Sequence, residues 1–124
     1  MVICFTDASY CPMTKIGVVV CRIYNNSLTN YVDNEIYHNG VRSDDLERIG
    51  IEYCIEECNK VINEYSVIYT DYMSAVGNYN ANLVYVKGHF KKSNLNDIGL
   101  IFRSVDKRAR MILREIRKRT VRQS

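Results

Sequence analysis

Three acidic residues stand where a folded core would favour apolar side chains. Asp7 and Asp71 each follow a threonine at the end of a short apolar run, and Glu47 falls on the apolar stripe of a predicted helix. A strand that ends at an Asp places the carboxylate at the carboxyl edge of a sheet, where open α/β folds bind ligands. Carboxylate oxygens are the ligands that Mg²⁺ and Mn²⁺ prefer. The three residues therefore predict a divalent metal site.

These acids also have purely structural interpretations. Glu47 would complete a capping box with Ser43, but that motif requires a spacing of three residues and the spacing here is four. An unpaired buried carboxylate is unfavourable unless it is protonated or binds a cation, so we favour metal binding for Glu47. Asp7 and Asp71, taken separately, could each cap a turn or a helix.

The periodicity of apolar residues predicts the elements that position these acids. Residues 2–6 are apolar on both faces, as in a central strand, and residues 16–24 and 28–38 predict a hairpin with a turn at Asn25-Asn26. A helix is predicted from an N-cap at Ser43 to residue 62, since apolar residues there recur at helical spacing. Residues 65–70 and 83–87 predict two further strands, separated by a short helix at 72–76.

The last part of the chain predicts a second long helix. Apolar residues recur at spacings of three and four from Ile98 to Ile116, and Arg and Lys occupy the other positions. We expect this basic C-terminal helix to cover about residues 98–122. The element order βββαβαβα implies an α/β fold with a five-stranded mixed sheet flanked by helices. No linker divides the sequence, so we expect one domain over residues 1–124.

The composition is typical of one globular domain, with 124 residues, 47% of them apolar and 25% charged. No segment approaches the roughly 20 apolar residues that span a bilayer, and a charge at Asp7 comes too early for a signal peptide. We expect an intracellular, cytoplasmic protein without membrane association. The five cysteines fit reduced thiols in the core. Cys54 and Cys58 lie one helical turn apart, but they lack a second ligand pair, which disfavours zinc.

The net charge of +3 conceals a strong asymmetry along the chain. Residues 103–124 contain nine Lys or Arg but only two acids, Asp106 and Glu115. Such a basic block predicts either a polyanionic partner or a solvated tail. We favour the polyanion, because an acidic metal site is predicted in the same chain.

Four short motifs occur in the order seen in type 1 ribonucleases H, and the chain resembles that family over almost its whole length. The motifs are Thr6-Asp7-Ala8-Ser9, Ser43-Asp44-Asp45-Leu46-Glu47, Tyr69-Thr70-Asp71 and Val84-Tyr85-Val86-Lys87-Gly88-His89. The first motif is most similar to the ribonuclease H domains of retroelements. The resemblance implies a ribonuclease H-like fold and hydrolysis of the RNA strand of RNA/DNA hybrids with two Mg²⁺ or Mn²⁺ ions.

The resemblance also implies roles for individual residues. Asp7, Glu47, Asp71 and one further Asp would bind the metal ions, and His89 would assist proton transfer or product release. Asp106 matches the family's pattern at the last helix, whereas Asp97 is nearer to the usual distance from His89. Nine residues on one helix place the two on opposite sides, so both cannot face one metal. We favour Asp106.

Departures from the family pattern bear on the substrate. Asp44-Asp45 replaces the Asn residues that commonly contact the hybrid, and Tyr72-Met73 replaces Ser-Gln. The segment between Asp71 and Lys87 is too short for the basic protrusion of many members. Phosphate contacts must then come from other residues, and the candidates for nucleic-acid binding are Ser9, Lys87, Lys91, Lys92, Arg108 and Arg110. Two alternatives remain: a structure-selective DNA nuclease of this fold, and an inactive module that binds nucleic acid or protein.

Overall fold

The computed structural model describes residues 1–61, 64–86 and 96–123, with side chains up to residue 119. Three strands come first: β1 (Val2–Cys11), β2 (Ile16–Asn25) and β3 (Tyr31–Asn39). Helix α1 (Ser43–Asn59) precedes strand β4 (Ser66–Thr70), a 3₁₀ turn (Met73–Ala75), strand β5 (Leu83–Tyr85) and helix α2 (Asp97–Gln123).

The five strands form one mixed sheet in the order β3-β2-β1-β4-β5, which confirms the predicted fold class. Strand β1 is antiparallel to β2 and parallel to β4, while β2–β3 is antiparallel and β4–β5 parallel. Helices α1 and α2 cover opposite faces of the sheet. Cys4 packs in the core on the α1 side and Phe5 in the core on the α2 side. Because alternate side chains face opposite layers, the start of β1 is apolar at every position.

The prediction that the first strand ends at Asp7 is wrong. Strand β1 continues to Cys11, and Asp7 pairs with Val20 in its middle. The longer strand exists because β2 supplies backbone partners along its whole length, up to the pair Cys11 and Ile16. The parallel neighbour β4 does end at Thr70, immediately before Asp71.

The predicted N-cap of α1 is displaced by one residue. The helix begins at Ser43, and Arg42 is the N-cap. The Asp45 carboxylate accepts a hydrogen bond from the Arg42 backbone N–H at 3.2 Å. Asp45 therefore satisfies this end of the helix, and Glu47 is not used as a cap. The short helix predicted at residues 72–76 is a single 3₁₀ turn.

Gly50 sets the distance between α1 and the sheet. A Cβ at this position would overlap the Thr6 hydroxyl oxygen and would lie 2.7 Å from Val19 Cγ1. The absence of a side chain lets the first half of α1 lie directly against β1 and β2. Glu47, one turn earlier, is thereby brought to the sheet.

A buried ion pair links β2 and β3 on the α2 side of the sheet. Arg22 donates from Nε to one Asp33 carboxylate oxygen at 2.8 Å and from Nη2 to the other at 3.0 Å. Its Nη1 donates to the Ser104 hydroxyl of α2 at 3.0 Å, and the guanidinium lies 4.1 Å from the centre of the Tyr31 ring. Each of the three guanidinium nitrogens thus has a hydrogen-bond partner within the chain.

All five cysteines are free thiols, and four of them, Cys4, Cys11, Cys21 and Cys54, are buried. The Sγ atoms of Cys4 and Cys58 are 3.8 Å apart. Within the described ranges, no helix combines the length and the apolar character that a membrane span requires.

Candidate metal centre

Strand register brings together two acids that are far apart in sequence. In the parallel pair β1–β4, Phe5 lies opposite Tyr69. Continuing that register by two residues places Asp7 beside Asp71, one residue past the end of β4. Because neighbouring parallel strands present matching residues to the same face, both carboxylates can reach one point beside the end of β4.

Helix α1 contributes the third acid. One carboxylate oxygen from each of Asp7, Glu47 and Asp71 lies within 4.8 Å of the corresponding atoms of the other two. In the part of the chain that the structure describes, this is the one group of three or more His, Cys, Asp or Glu residues with metal-binding geometry. We refer to these three residues as the carboxylate centre.

Burial and mutual repulsion raise the pKa values of two acids of the carboxylate centre. The pKa of Asp7, which is 3% exposed, is raised to about 10 by burial, by a hydrogen bond with Asp106 and by the charges of Asp71 and Glu47. The pKa of Glu47 is raised to about 8 by burial and by the Asp71 charge, although a hydrogen bond from the Ala8 backbone N–H opposes the shift. The charged groups that shift the pKa values of Asp7 and Glu47 are therefore all acids.

One carboxylate oxygen of Glu47 also lacks a hydrogen-bond partner within the described part of the chain. Its Oε2 atom is buried and has no hydrogen-bond partner among the described residues. A buried acceptor without a partner is unfavourable by about 1–3 kcal/mol. A set of carboxylate oxygens with one orphaned atom fits a hard divalent cation such as Mg²⁺ or Mn²⁺. It does not fit the thiolate and imidazole preferences of zinc or copper.

The structure separates the two candidates for the fourth acid. Asp106 is partly buried at the border of the inner side of α2, and it shares a hydrogen bond with Asp7. Its other partner is Arg110, whose Nη2 lies 2.8 Å from Asp106 Oδ2. Asp97 is the first residue of the same helix and is exposed. Asp106 is therefore the one of the two that adjoins the carboxylate centre.

The predicted nucleic-acid contacts lie in different places. Ser9 is partly buried on β1, two residues beyond Asp7 and on the same face of the strand. Arg110 adjoins the centre through its ion pair with Asp106, whereas Arg108 lies on another side of α2 and pairs with Glu35 of β3 at 2.7 Å. Four predicted residues, His89, Lys87, Lys91 and Lys92, lie outside the described residues.

Sequence reasoning missed Arg48, the residue that follows Glu47 on α1. Its Nη1 lies 3.4 Å from the Asp45 carboxylate, and its Nη2 donates to the Tyr72 hydroxyl at 3.3 Å. Asp45 is thus paired with a cation of the same helix, which partly offsets its negative charge. The signal was present in the sequence, because Asp45 and Arg48 have the i, i+3 spacing of a helical ion pair next to Glu47.

No protein-family model and no curated protein match this chain. Solved structures do match it. The protease-reverse transcriptase of Prototype Foamy Virus aligns with 89% of this chain at 14% identity and a TM-score of 0.65. This chain spans only 20% of that protein's length.

Two structures of LC11-RNase H1 also match, each at 14% identity. The enzyme isolated from compost by a metagenomic approach aligns with 87% of this chain and 94% of its own, with a TM-score of 0.58. Its complex with an RNA/DNA hybrid aligns with 75% of this chain and 87% of its own, with a TM-score of 0.56. At 14% identity these likenesses establish architecture, and they agree with the resemblance found in the motifs. The chain has the ribonuclease H-like fold.

Proposed function

We propose that this chain is a ribonuclease H that uses Mg²⁺ or Mn²⁺ to hydrolyse the RNA strand of RNA/DNA hybrids. One observation carries the proposal: Asp7, Glu47 and Asp71 place carboxylate oxygens within 4.8 Å of one another in a ribonuclease H-like fold. Independent strands and a helix contribute these acids. Carboxylate oxygens that converge on one point can hold the metal ions that metal-assisted phosphoryl hydrolysis uses.

Asp7, Glu47, Asp71 and Asp106 are the proposed ligands of two ions. When bound, such ions activate a water molecule and stabilise the departing oxyanion. The residues of the chain hold the ligands in place. Asp7 is fixed by β1, which is hydrogen-bonded on both sides, and Glu47 is oriented by the Ala8 backbone N–H. Binding displaces protons from carboxyls whose pKa values are raised.

Cations near the centre would contact the phosphates of the substrate. Arg48 is exposed and follows Glu47 on α1, and its guanidinium contacts the Asp45 carboxylate and the hydroxyl of Tyr72, the residue after Asp71. Arg110 and Ser9 adjoin the centre from α2 and β1. For His89 we propose assistance in proton transfer or product release, and for Lys87, Lys91 and Lys92 we propose phosphate contacts, on the motif resemblance alone.

The experiment is a cleavage assay on RNA end-labelled within an RNA/DNA hybrid. We expect cleavage with Mg²⁺ or Mn²⁺, no cleavage after chelation, and products with 5′-phosphate and 3′-hydroxyl ends. RNA duplex, DNA duplex and branched DNA of the same sequence serve as competing substrates. Preferential cleavage of branched DNA would replace the proposal with the structure-selective nuclease. The departures from the family pattern at Asp44-Asp45 and Tyr72-Met73 favour that alternative.

A matched pair of variants on α1 tests the centre itself. Glu47→Gln removes one proposed ligand and should lower cleavage by about 100-fold or more. Glu52→Gln makes the same chemical change on the exposed side of the same helix and should leave the rate unchanged. Equal rates in the two variants would contradict the proposed role of the centre.

Calorimetric titration with Mn²⁺ distinguishes an inactive module from an enzyme. We expect binding that Glu47→Gln weakens and Glu52→Gln does not. A chain that binds hybrid but neither binds Mn²⁺ nor cleaves would be the inactive nucleic-acid-binding module.

A further inference from the structure

Four cations form a stripe along one side of α2. Arg103, Lys107, Arg110 and Arg114 occupy positions i, i+4, i+7 and i+11, which fall on one side of an α-helix. We call these residues the basic stripe. At a rise of 1.5 Å per residue it is about 16 Å long. All four side chains are exposed.

The stripe is poorly neutralised by the chain itself. Among the described residues, Arg110 has an ion pair with Asp106, whereas Arg103, Lys107 and Arg114 have none. On the side of α2 that faces β3, by contrast, Arg108 is paired with Glu35. Like charges at helical spacing destabilise a helix slightly, so an unpaired stripe is not explained by the stability of α2.

The middle of the stripe lies beside the carboxylate centre. Asp106, which contacts Asp7, lies one helical turn before Arg110 and bonds to it. On the helix circumference, Asp106 lies between the buried row that includes Val105 and Ala109 and the basic stripe. A ligand lying along the stripe therefore passes directly next to the centre.

A hollow of about 530 Å³ follows the stripe, lined by Leu100, Arg103, Ser104, Lys107, Arg110, Met111 and Arg114. The two apolar side chains in this set are 39% and 48% exposed, for Leu100 and Met111 respectively. A cationic surface with interspersed apolar groups matches a chain of phosphates joined by sugars.

We propose that the basic stripe binds the phosphodiester backbone of the nucleic-acid substrate where it leaves the carboxylate centre. This inference rests on the proposed function for the class of substrate. One strand carries a phosphate about every 3.4 Å of axis, so several phosphates lie opposite a surface of this length. An Arg guanidinium can donate two parallel hydrogen bonds to the oxygens of one phosphate, and three of the four cations are arginines.

The test is the salt dependence of hybrid binding without divalent ions. The probe is a fluorescent RNA/DNA hybrid of about 18 base pairs, titrated by anisotropy in EDTA between about 50 and 200 mM salt. The variant Lys107→Gln/Arg114→Gln neutralises two cations of the stripe. The control Lys60→Gln/Arg119→Gln makes the same two chemical changes at the end of α1 and on another side of α2.

We expect the slope of log affinity against log salt to fall by about 1.4 to 1.8 in the stripe variant, since each lost phosphate contact removes about 0.7 to 0.9. The control should retain the wild-type slope. Equal slopes in the two double variants would overturn the inference. Unchanged circular dichroism in both, expected for exposed positions, excludes unfolding as the cause.

The design separates this inference from the proposed function. No cleavage occurs in EDTA, so a slope change is measured whether or not the chain is a nuclease. A lower salt slope in the stripe variant, together with no metal-dependent cleavage by the wild-type chain, would support the role of the stripe and reject the proposed enzyme. Metal-dependent cleavage by the wild-type chain, together with an unchanged slope in the variant, would support the enzyme and reject the role of the stripe. Vesicles of phosphatidylserine serve as the competing polyanion. Binding to vesicles that depends on the stripe, with unchanged hybrid binding, would assign the stripe to a lipid surface instead.

Discussion

The carboxylate centre and the Arg22–Asp33 pair both place ionisable side chains at buried positions against the same sheet. Arg22 faces an opposite charge, whereas the charged groups that shift the pKa values of Asp7 and Glu47 are other acids. Arg22 is 5% exposed and meets an opposite charge through two hydrogen bonds. Asp7 is 3% exposed, and the charged groups that raise its pKa are all other acids. The two regions thus have similar burial and opposite electrostatic balance.

The contrast separates a structural site from a ligand site. A buried pair with full hydrogen bonding needs nothing from solution, and its loss is expected to affect folding alone. A buried group of like charges opposes folding and becomes favourable only when protons or cations bind. Changes at the two regions should therefore have opposite effects on stability and on activity.

The largest expected effect is on cleavage by Asp7→Asn. The amide keeps the shape of the side chain but removes a ligand charge, so we expect the rate of hybrid cleavage to fall by about 10³-fold or more. The unfolding free energy of the metal-free protein should rise, because one of the repelling acids is gone. A kinetic assay combined with urea unfolding measures both. A variant that cleaves normally, or that is less stable than wild type, would contradict the assignment.

The Arg22 pair should show the reverse. Arg22→Met leaves Asp33 as an uncompensated, mostly buried charge and should destabilise the chain by about 3 kcal/mol. Arg22→Met/Asp33→Leu removes both charges and should recover most of that loss. Urea unfolding of the single and double variants measures the difference. Activity per folded molecule should be unchanged, so a selective loss of cleavage would show that the pair acts on the site.

The pH dependence of stability sharpens the comparison. In the unfolded chain both carboxyls lose protons near pH 4, but in the folded chain the pKa of Glu47 is raised to about 8 and that of Asp7 to about 10. Their contribution to stability is thus fully present below about pH 4 and declines as the pH rises towards 8 and above. We expect the metal-free protein to lose several kcal/mol of stability between about pH 5 and 8, because both groups stay protonated over this range only in the folded chain.

Two controls isolate that effect. The same measurement on Asp7→Asn/Glu47→Gln should show a much smaller decline, because neither group can ionise. Saturating Mg²⁺ should stabilise wild type more at the higher pH, since metal and protons compete for the same oxygens. A decline that is equal in wild type and in the double variant would assign it to other groups.

The smallest effect distinguishes the two aspartates of α2, Asp97 and Asp106. Asp106→Asn should lower cleavage by about tenfold or more, because this carboxyl adjoins Asp7. Asp97→Asn makes the same change at an exposed position of the same helix and should alter the rate by less than about twofold. A larger effect at Asp97 would reverse the choice that the structure favours.

The spacing of apolar residues was sufficient to predict most elements of the fold. Each helix buries one apolar face and the start of β1 buries both of its faces, so the apolar residues follow a regular pattern. The part of β1 beyond Asp7 was missed, since residues 7–11 lack a strong apolar pattern and form a strand only by pairing with β2. Arg42 was missed as the N-cap because its own side chain supplies no cap hydrogen bond. Such features depend on tertiary partners rather than on local preference.

The acids of the centre were identifiable because a carboxylate in an apolar run is conspicuous, and family motifs then supported them. The Arg22–Asp33 pair was not identifiable. Its two residues come together only through the register of β2 and β3, which a turn of uncertain length leaves open in the sequence. The choice between Asp97 and Asp106 likewise depended on which side of α2 meets the sheet.

The register of β1 and β4 limits where insertions can occur as this sequence diverges. One residue inserted in either strand ahead of its Asp would turn that side chain to the opposite layer while leaving an apolar stretch able to pack. Extra residues in the hairpin turn near residues 26–30 would leave the two acids side by side. Distant homologues should therefore vary in length at that turn and keep constant the number of residues from 2 to 7 and from 66 to 71.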